Sequence, residues 1–477
     1  MNLTEPKLNF KYILRINIGI VFVVVVNTTS VLASSVTARP EHRALSLQRL
    51  IDLSLSSTRN TQNELYSLQS VRNNRISEQS DFDIKYAPVL SKNLNDNGET
   101  AASYGLEVSK LLEHGPKVAI ETKTVDSDDA YTSGVSLSIS SPILKNIGRK
   151  SVLDNIHAAD YEIRNSNRQL YLKQVEVVMS CIRLAYDFLK QQKLISLYTK
   201  TIESLEHQAK TSSAKEKVGL ATPLDVYRAK IASKDIEQKL INSREALQAA
   251  TSDLKYLIKL ESETPLILDI ELVEPSFDIT LERAVKTAIE NSIRVKGALD
   301  DISRAKSKTF LAKEDKLPDV DISLKYTYQG EDESFGRSTN LDDSLWSINI
   351  SSSGDAYRKR QRIAYETALI NENELMFQLE RTKSEIRREI KLKMNLLKTA
   401  KKRIDISDKQ VEQAATNFSV SNLKHLYTLA TSFDVIEAEK ELQSARENAL
   451  NATVIYIISY YQFRRELGTL LESNTIE

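Results

Sequence analysis

Apolar and polar positions follow two different periods along this chain, and the periods divide it into helical and extended segments. Between Arg149 and Val218 there is neither Gly nor Pro, and apolar residues recur at helical spacing at Leu170, Val177, Leu184, Phe188 and Ile195. A helix over these roughly 70 residues would be about 100 Å long. No single globular core needs an element of that length.

Between 81 and 142 the period changes to two. Four alternating runs lie there, and two more follow much later, at 81–86, 104–108, 118–123, 135–139, 320–328 and 345–350. Strands of about 10 residues with one apolar side are what a membrane barrel requires. A half-exposed sheet in water requires the same pattern, so the alternation leaves both possibilities open.

A short motif occurs twice and indicates an internal duplication with a long period. The pattern Ala-Thr-x-hydrophobic-Asp-Val-x-x-Ala covers 221–229 and again 430–438. Each copy lies between two long helical segments, so each predicts the tip of a helical hairpin. The first helices of the two halves, near Leu47 and Leu281, lie about 25 residues further apart than the two tips. We therefore expect an additional hairpin near 101–125, on the side of the sheet far from the tips.

The residues of the first tip fit a turn between helices. Gly219 can take the positive φ that closes a helix, Thr222 can cap the next helix, and Pro223 falls in its first turn. Thr428 stands where the first copy has Gly219, which predicts a less sharp second turn.

The predicted organisation is a leader followed by two structural repeats, at 1–33, 34–277 and 278–477. In each repeat a helix comes first, then strands, then a long helical hairpin. The helices are expected at 45–80 and 279–314, with Thr280 as the N-cap of the second, the strands at about 81–142 and about 319–350, and the tips at about 217–223 and about 426–432.

The N-terminal residues have the layout of a secretory signal. Three basic residues precede an apolar run at 16–26, and Val31-Leu32-Ala33 has the small residues of a cleavage site. A membrane anchor is the alternative, but about 11 apolar residues are too few for the roughly 30 Å of a bilayer core. No other run reaches about 18 apolar residues, so any membrane crossing must use strands.

Composition excludes several classes of function. The formal net charge is +0, with 65 basic and 65 acidic residues, and nothing in that balance indicates nucleic acid. Cys181 is the only cysteine, the five histidines show no ligand spacing, and no phosphate loop or nucleophile motif is present. The basic run from Arg381 to Arg403 has glutamates at helical spacing, which favours a solvated helix face. We therefore expect no enzyme, no metal and no cofactor.

The order and spacing of these segments resemble the TolC family of outer-membrane channels, over essentially the whole chain after the leader. The residues that carry the resemblance are Val218-Gly219-Leu220 ahead of Asp225, the run 434–438, and the run 460–470. The resemblance implies a mostly α fold with a membrane β part, in which long coiled-coil hairpins accompany β-strands contributed to a shared trimeric β-barrel. It also implies a homotrimer in the bacterial outer membrane, in contact with its lipid and extending into the periplasm.

The function implied is the exit channel of a tripartite export system, gated at its periplasmic helical end and opened by a periplasmic adaptor (membrane fusion) protein that works with an inner-membrane pump. The resemblance leaves the cargo open between small molecules and, in type I secretion, polypeptides. An alternative from another class is a secreted helical stalk without a pore.

The family resemblance also suggests site residues. Asp434 and Glu437, three residues apart on one helix face, would form rings of carboxylates that favour cations in the lumen of a trimer; two solvated charges are the simpler interpretation. The small, apolar tips suit docking to an adaptor, at Val218, Gly219, Leu220, Ala221 and Thr222 and at Thr428, Leu429, Ala430, Thr431 and Ser432.

The basic and aromatic positions of the family's closed-state latch are occupied here by Ala430 and His425. A latch in this chain must therefore be built differently, with His425, Lys424 or Arg228 as candidates. The simpler interpretation of His425 is an ordinary tip residue.

Overall fold

Two long helical hairpins and one six-stranded sheet form the described part of this chain. The computed structural model describes residues 44–94, 100–127, 130–261, 263–354 and 357–471. The predicted signal at 1–33 lies outside the described residues.

The helices are α1 (Leu47–Ser56), α2 (Gln62–Ser80), α3 (Arg149–Val152), α4 (Asp154–Lys217), α5 (Pro223–Ile258), α6 (Leu281–Asn291), α7 (Ile293–Glu314), α8 (Phe335–Ser338), α9 (Lys359–Leu426) and α10 (Ser432–Glu466). The strands are β1 (Lys85–Leu94), β2 (Thr100–Leu111), β3 (Lys117–Ser127), β4 (Tyr131–Pro142), β5 (Asp319–Asp332) and β6 (Asp343–Ser353).

The two longest helices set the dimensions of the fold. α4 has 64 residues and α9 has 68, so each is roughly 100 Å long at about 1.5 Å per residue. No Gly or Pro interrupts either helix. α4 packs against α5 and α9 against α10, which forms the two hairpins, and α10 also packs against α4 and joins them. Nearer the sheet, α2 packs against α4 and α7 against α9.

The first helix of each repeat is interrupted, whereas the sequence predicted a continuous helix at 45–80 and at 279–314. Ser292 takes an extended conformation with ψ 118° and ends α6, and its hydroxyl then accepts the Val295 N–H to start α7. In the first repeat the chain is extended at Ser57 and passes through a 3₁₀ turn before α2. At Ser292 the serine favours the interruption because its side chain accepts a free N–H of the next helix. The predicted N-cap Thr280 is confirmed, since its hydroxyl accepts the Arg283 N–H.

The largest apolar core lies midway along the hairpins. Its fully buried side chains include Phe463, Ile390 and Leu254, and the ring of Phe277 meets that of Phe463 edge to face with centroids 5.3 Å apart. Phe277 belongs to the irregular segment between α5 and α6, which packs on the outside of the long helices. The core therefore fixes the two hairpins against each other at mid-length.

The sheet is antiparallel throughout, in the order β1-β2-β3-β4-β5-β6. β4 and β5, which belong to the two predicted repeats, pair from Tyr131 opposite Asp332 to Pro142 opposite Asp321. Within the described residues β1 and β6 are the edges of the sheet.

The hairpin β2–β3 occupies the region where we expected an additional hairpin, but its turn lies on the opposite side from the one predicted. The Gly148 N–H donates to the His114 carbonyl at 2.9 Å, and Arg149 pairs with Glu113 at 2.9 Å. These contacts hold the β2–β3 turn against the start of α3, at the helical end of the sheet. The difference in length between the two halves located the insertion, but it carries no information about the direction of the strands.

Candidate gate, docking tips and sheet faces

The two hairpin tips have the same backbone turn. The Leu220 N–H donates to the Lys215 carbonyl at 2.8 Å, and the Leu429 N–H donates to the Lys424 carbonyl at 2.8 Å. These bonds require a left-handed residue between helix and loop, which is Gly219 with φ 76° in the first tip and Thr428 with φ 59° in the second. The predicted less sharp second turn is wrong: Thr428 adopts the conformation that glycine adopts more easily.

Each tip ends in a capping box that starts the next helix. In the second tip, the Thr431 N–H and hydroxyl both donate to Asp434 Oδ2 at 2.8 Å, and the Asp434 N–H returns to the threonine hydroxyl. Thr222 and Asp225 make the same contacts in the first tip, which confirms the predicted cap at Thr222. The hydrogen bonds from Thr431 hold the pKa of Asp434 below its ordinary value.

Asp434 and Glu437, the predicted gate residues, lie one turn apart on α10 and are both exposed. Asp434 therefore has a local role already, because its carboxylate caps its own helix. The Asp434 carboxylate is also exposed to solvent, which a carboxylate that lines a channel must be. A ring of carboxylates needs further copies of the chain, so the gate remains a prediction.

His425 is buried, with 6% of its surface exposed, and it is the centre of a polar network between the two hairpins. Its Nδ1 lies 3.0 Å from the Ala430 carbonyl, and its Nε2 lies 3.0 Å from Lys215 Nζ and 3.3 Å from Gln208 Nε2. These partners assign the neutral ring with the proton on Nδ1, since both groups near Nε2 are donors. His425 thus bridges the two hairpins of one copy, and its role in a latch stays a prediction.

The network continues through Ser432. Gln208 donates to the Ser432 hydroxyl at 3.0 Å, and the hydroxyls of Ser212 and Ser432 lie 2.8 Å apart. Ser432 is buried with this cluster. It therefore does not lie on the exposed surface of the tip, where the sequence predicted it as a docking residue. The cluster joins the last turns of α4 to the second tip.

Arg228 makes a second contact between the hairpins. Its guanidinium lies 4.9 Å from the centre of the Phe433 ring, a cation–π geometry. Of the three candidate latch residues, His425 and Arg228 thus bridge the two tips, and Lys424 contributes its backbone carbonyl to the turn.

The tips expose apolar side chains. Val218 is 68% exposed, Leu220 70% and Leu429 78%. Gly219, Thr222, Thr428 and Thr431 are also exposed, whereas Ala221 and Ala430 are half-buried. Most of the predicted docking residues therefore lie on the surface of the chain.

One face of the sheet is an exposed apolar band that crosses all six strands. The register places Tyr86, Val108, Ile120, Leu137, Tyr326 and Trp346 in one continuous row. Residues two or four positions away on the same strands extend the band, with large exposed side chains at Leu90, Tyr104, Leu106, Val135, Ile139, Leu324, Tyr328, Ile348 and Ile350. The opposite face of β4 and β6 is mainly small and polar, apart from Leu345. Its small and polar residues are Thr132, Gly134, Ser136, Ser138, Ser140, Ser347, Asn349 and Ser351.

Within the described part of the chain, no helix has the length and hydropathy needed to cross a membrane, and no cluster of side chains has the composition of a metal site. No protein-family model and no curated protein sequence matches the chain.

Solved structures do match its fold. The outer-membrane channel OprN superposes with a TM-score of 0.67 at 14% identity, over 89% of this chain and 90% of that one. The CmeC outer-membrane channel of Campylobacter jejuni gives 0.65 at 14% identity, over 90% and 86%. The outer-membrane protein VceC of Vibrio cholerae gives 0.66 at 14% identity, over 88% and 96%.

The chain thus has the fold of the TolC-type outer-membrane channels, with long α-helical hairpins and a β part. The predicted mostly α fold with long hairpins and a β part is confirmed for one copy of the chain, and the shared trimeric barrel stays a prediction.

Proposed function

We propose that this chain is an outer-membrane exit channel, with its sheet in the lipid bilayer and its helical hairpins in the periplasm. The observation that carries the proposal is the apolar band on one face of the sheet. Trp346 is 72% exposed and Leu90 is 78% exposed on that face, and monomeric soluble proteins rarely expose a contiguous apolar surface of this extent. A bilayer would cover it without a protein partner.

The other features of the sheet support the same function. Its opposite face is small and polar, as the water-filled side of a membrane barrel is. Strands inside a bilayer must have every backbone group paired, so the two edges of the sheet demand further copies of the chain. On this basis we propose a homotrimer in which each copy contributes its six strands to one barrel.

The helical end would be the gate. In a trimer the exposed carboxylates of Asp434 and Glu437 would form two rings and favour cations. The network around His425 and the stacking of Arg228 on Phe433 hold the two tips of one copy together. We propose that this arrangement is the closed state and that opening separates the tips.

A partner must open the gate and supply energy, because the sequence contains no phosphate loop. The exposed Val218, Leu220 and Leu429 form a docking surface for the hairpin of a periplasmic adaptor, with an inner-membrane pump behind it. Each of the two predicted repeats, 34–277 and 278–477, contributes one tip to this docking surface. The cargo would be small molecules or, as in type I secretion, polypeptides. We assign no catalytic residue to this chain.

Fractionation of cells that express the full chain tests the location. We expect the protein in the outer-membrane fraction, soluble only in detergent, with the mass of three copies. A monomer that purifies from the water-soluble fraction would overturn the proposal and favour the secreted stalk, although a stalk leaves the apolar band of the sheet unexplained.

A further inference from the structure

The hairpin β2–β3 is built into the middle of the sheet. β2 pairs with β1 along the whole of β1, from Lys85 opposite Ser109 to Leu94 opposite Thr100. β3 pairs with β4 from Lys117 opposite Ser140 to Asp126 opposite Tyr131. A hairpin bonded on both sides cannot fold into the lumen as a plug, so it is part of the wall.

The hairpin also continues both faces of the sheet. Val108 of β2 and Ile120 of β3 lie in the apolar row between Tyr86 and Leu137. On the other face, Ser103 and Ser109 alternate with them, and Glu107 forms an ion pair with Lys117 at 2.9 Å. The two strands therefore have the same two-sided character as the strands that flank them.

The second repeat contributes only β5 and β6. Two strands from each repeat would give four per copy, and the hairpin raises this number to six. Because six is even, β1 leaves the helical end while β6 returns to it. The edge of β6 in one copy can then pair antiparallel with the edge of β1 in the next, as every other pair in the sheet does.

We infer that three copies close an eighteen-stranded barrel, joined by β6 of one copy and β1 of its neighbour, and that β2–β3 widens the lumen. This inference rests on the proposed function. With strands about 4.8 Å apart and tilted by about 40°, eighteen strands give a backbone diameter of about 36 Å, against about 24 Å for twelve.

The residues that face the lumen keep this space open. The polar face of β4 carries one glycine, one threonine and three serines, which project little into the channel, whereas Lys123 of β3 and Lys325 of β5 project further from the same face. The sheet region then admits cargo as wide as two packed helices, about 20 Å. The narrowest point of the duct lies at the helical tips and not in the membrane.

A deletion variant isolates the hairpin. Removal of residues 100–130 joins β1 to β4 through residues 95–99, and β1 and β4 are antiparallel with matching faces. The position for a probe is Ser347, exposed on the polar face of β6, changed to cysteine in a Cys181→Ala background. Outer-membrane vesicles of the full chain and of the deletion variant are then treated with maleimide–polyethylene glycols of increasing size, and the full chain is imaged by cryo-electron microscopy.

We expect eighteen strands in the full chain and labelling of Ser347→Cys by larger reagents than the deletion variant admits. A full-chain trimer with twelve strands would overturn the wide barrel. So would a full chain whose Ser347→Cys admits no larger reagent than the deletion variant does. Neither result would contradict the exit channel. A water-soluble monomer would overturn both. If the deletion variant does not fold, the strand count of the full chain decides the question.

Discussion

The Nε2 atom of His425 lies 3.0 Å from the Nζ of Lys215, and this contact joins the second hairpin tip to the end of α4. The Ala430 carbonyl on the other side of the ring fixes which nitrogen carries the proton. The geometry makes the imidazole an acceptor for the lysine and a donor to its own loop. One side chain thereby sets the distance between the two tips.

Replacement of His425 by alanine should loosen the second tip. The change removes the imidazole that Lys215, Gln208 and the Ala430 carbonyl contact, and losing such buried hydrogen bonds typically costs about 1–3 kcal/mol. Backbone hydrogen exchange over 427–434 should then be roughly tenfold faster or more. His207→Ala is the matched control because His207 is exposed on α4. Equal exchange rates in the two variants would mean that the network does not hold the tip.

Thr428→Gly should stabilise the second tip by about 1 kcal/mol, since a left-handed residue with a Cβ costs about that much. The reverse change, Gly219→Thr, should destabilise the first tip by a similar amount. A Cβ at Gly219 would meet no atom within 4 Å, so the loss would come from the backbone alone. Local hydrogen exchange at each tip measures both changes. Faster exchange in Thr428→Gly would contradict the strain assigned to Thr428.

A charge on the apolar face of the sheet should impair insertion into the membrane, and the same charge on the polar face should be tolerated. Leu137 and Ser138 are neighbours on β4 that face opposite sides. Leu137→Arg should cost about 2–4 kcal/mol if it lies near the bilayer midplane, while Ser138→Arg should insert normally. The amount of folded trimer in the outer membrane is the measurement. Equal yields would show that the apolar band does not face lipid.

Removal of the two exposed carboxylates at the second tip should weaken the preference for cations. Asp434→Asn keeps an oxygen that can accept from Thr431 and so preserves the cap, and Glu437→Gln removes the second charge. Asp225→Asn, in the same capping box of the first tip, is the matched control. Reversal potentials across a salt gradient report the selectivity.

The hydrogen bonds from Thr431 hold the pKa of Asp434 below its ordinary value. Asp434 therefore keeps its negative charge to more acidic pH than an ordinary aspartate, and its contribution to cation selectivity should persist to that pH. An unchanged ion preference in the double variant, or an equal loss in Asp225→Asn, would contradict the gate.

The features that local sequence dictates were predictable. The change from helical to alternating periodicity located the strands, and the repeated motif located both tips together with the cap at Thr222. These features depend on residues within a few positions of one another. The apolar face of β4, for example, follows from the alternation of Val135, Leu137 and Ile139 with serines.

The features that depend on distant residues were not predictable. Lys215 of α4 and His425 of α9 are far apart in sequence, so their contact appears only when the two hairpins pack together. The left-handed Thr428 is set by the bond from Leu429 to Lys424, and the residue type gave no indication of it. The direction of the β2–β3 turn depends on which strand follows a helix, which alternation alone does not reveal.

Single-channel recording of the purified full chain in a planar bilayer, with the oligomeric mass taken on the same sample, tests the central claim most directly. We expect a trimer that gives small, cation-preferring conductance steps, because the helical end is closed and lined by carboxylates. A protein that remains monomeric in water and gives no conductance would contradict the channel.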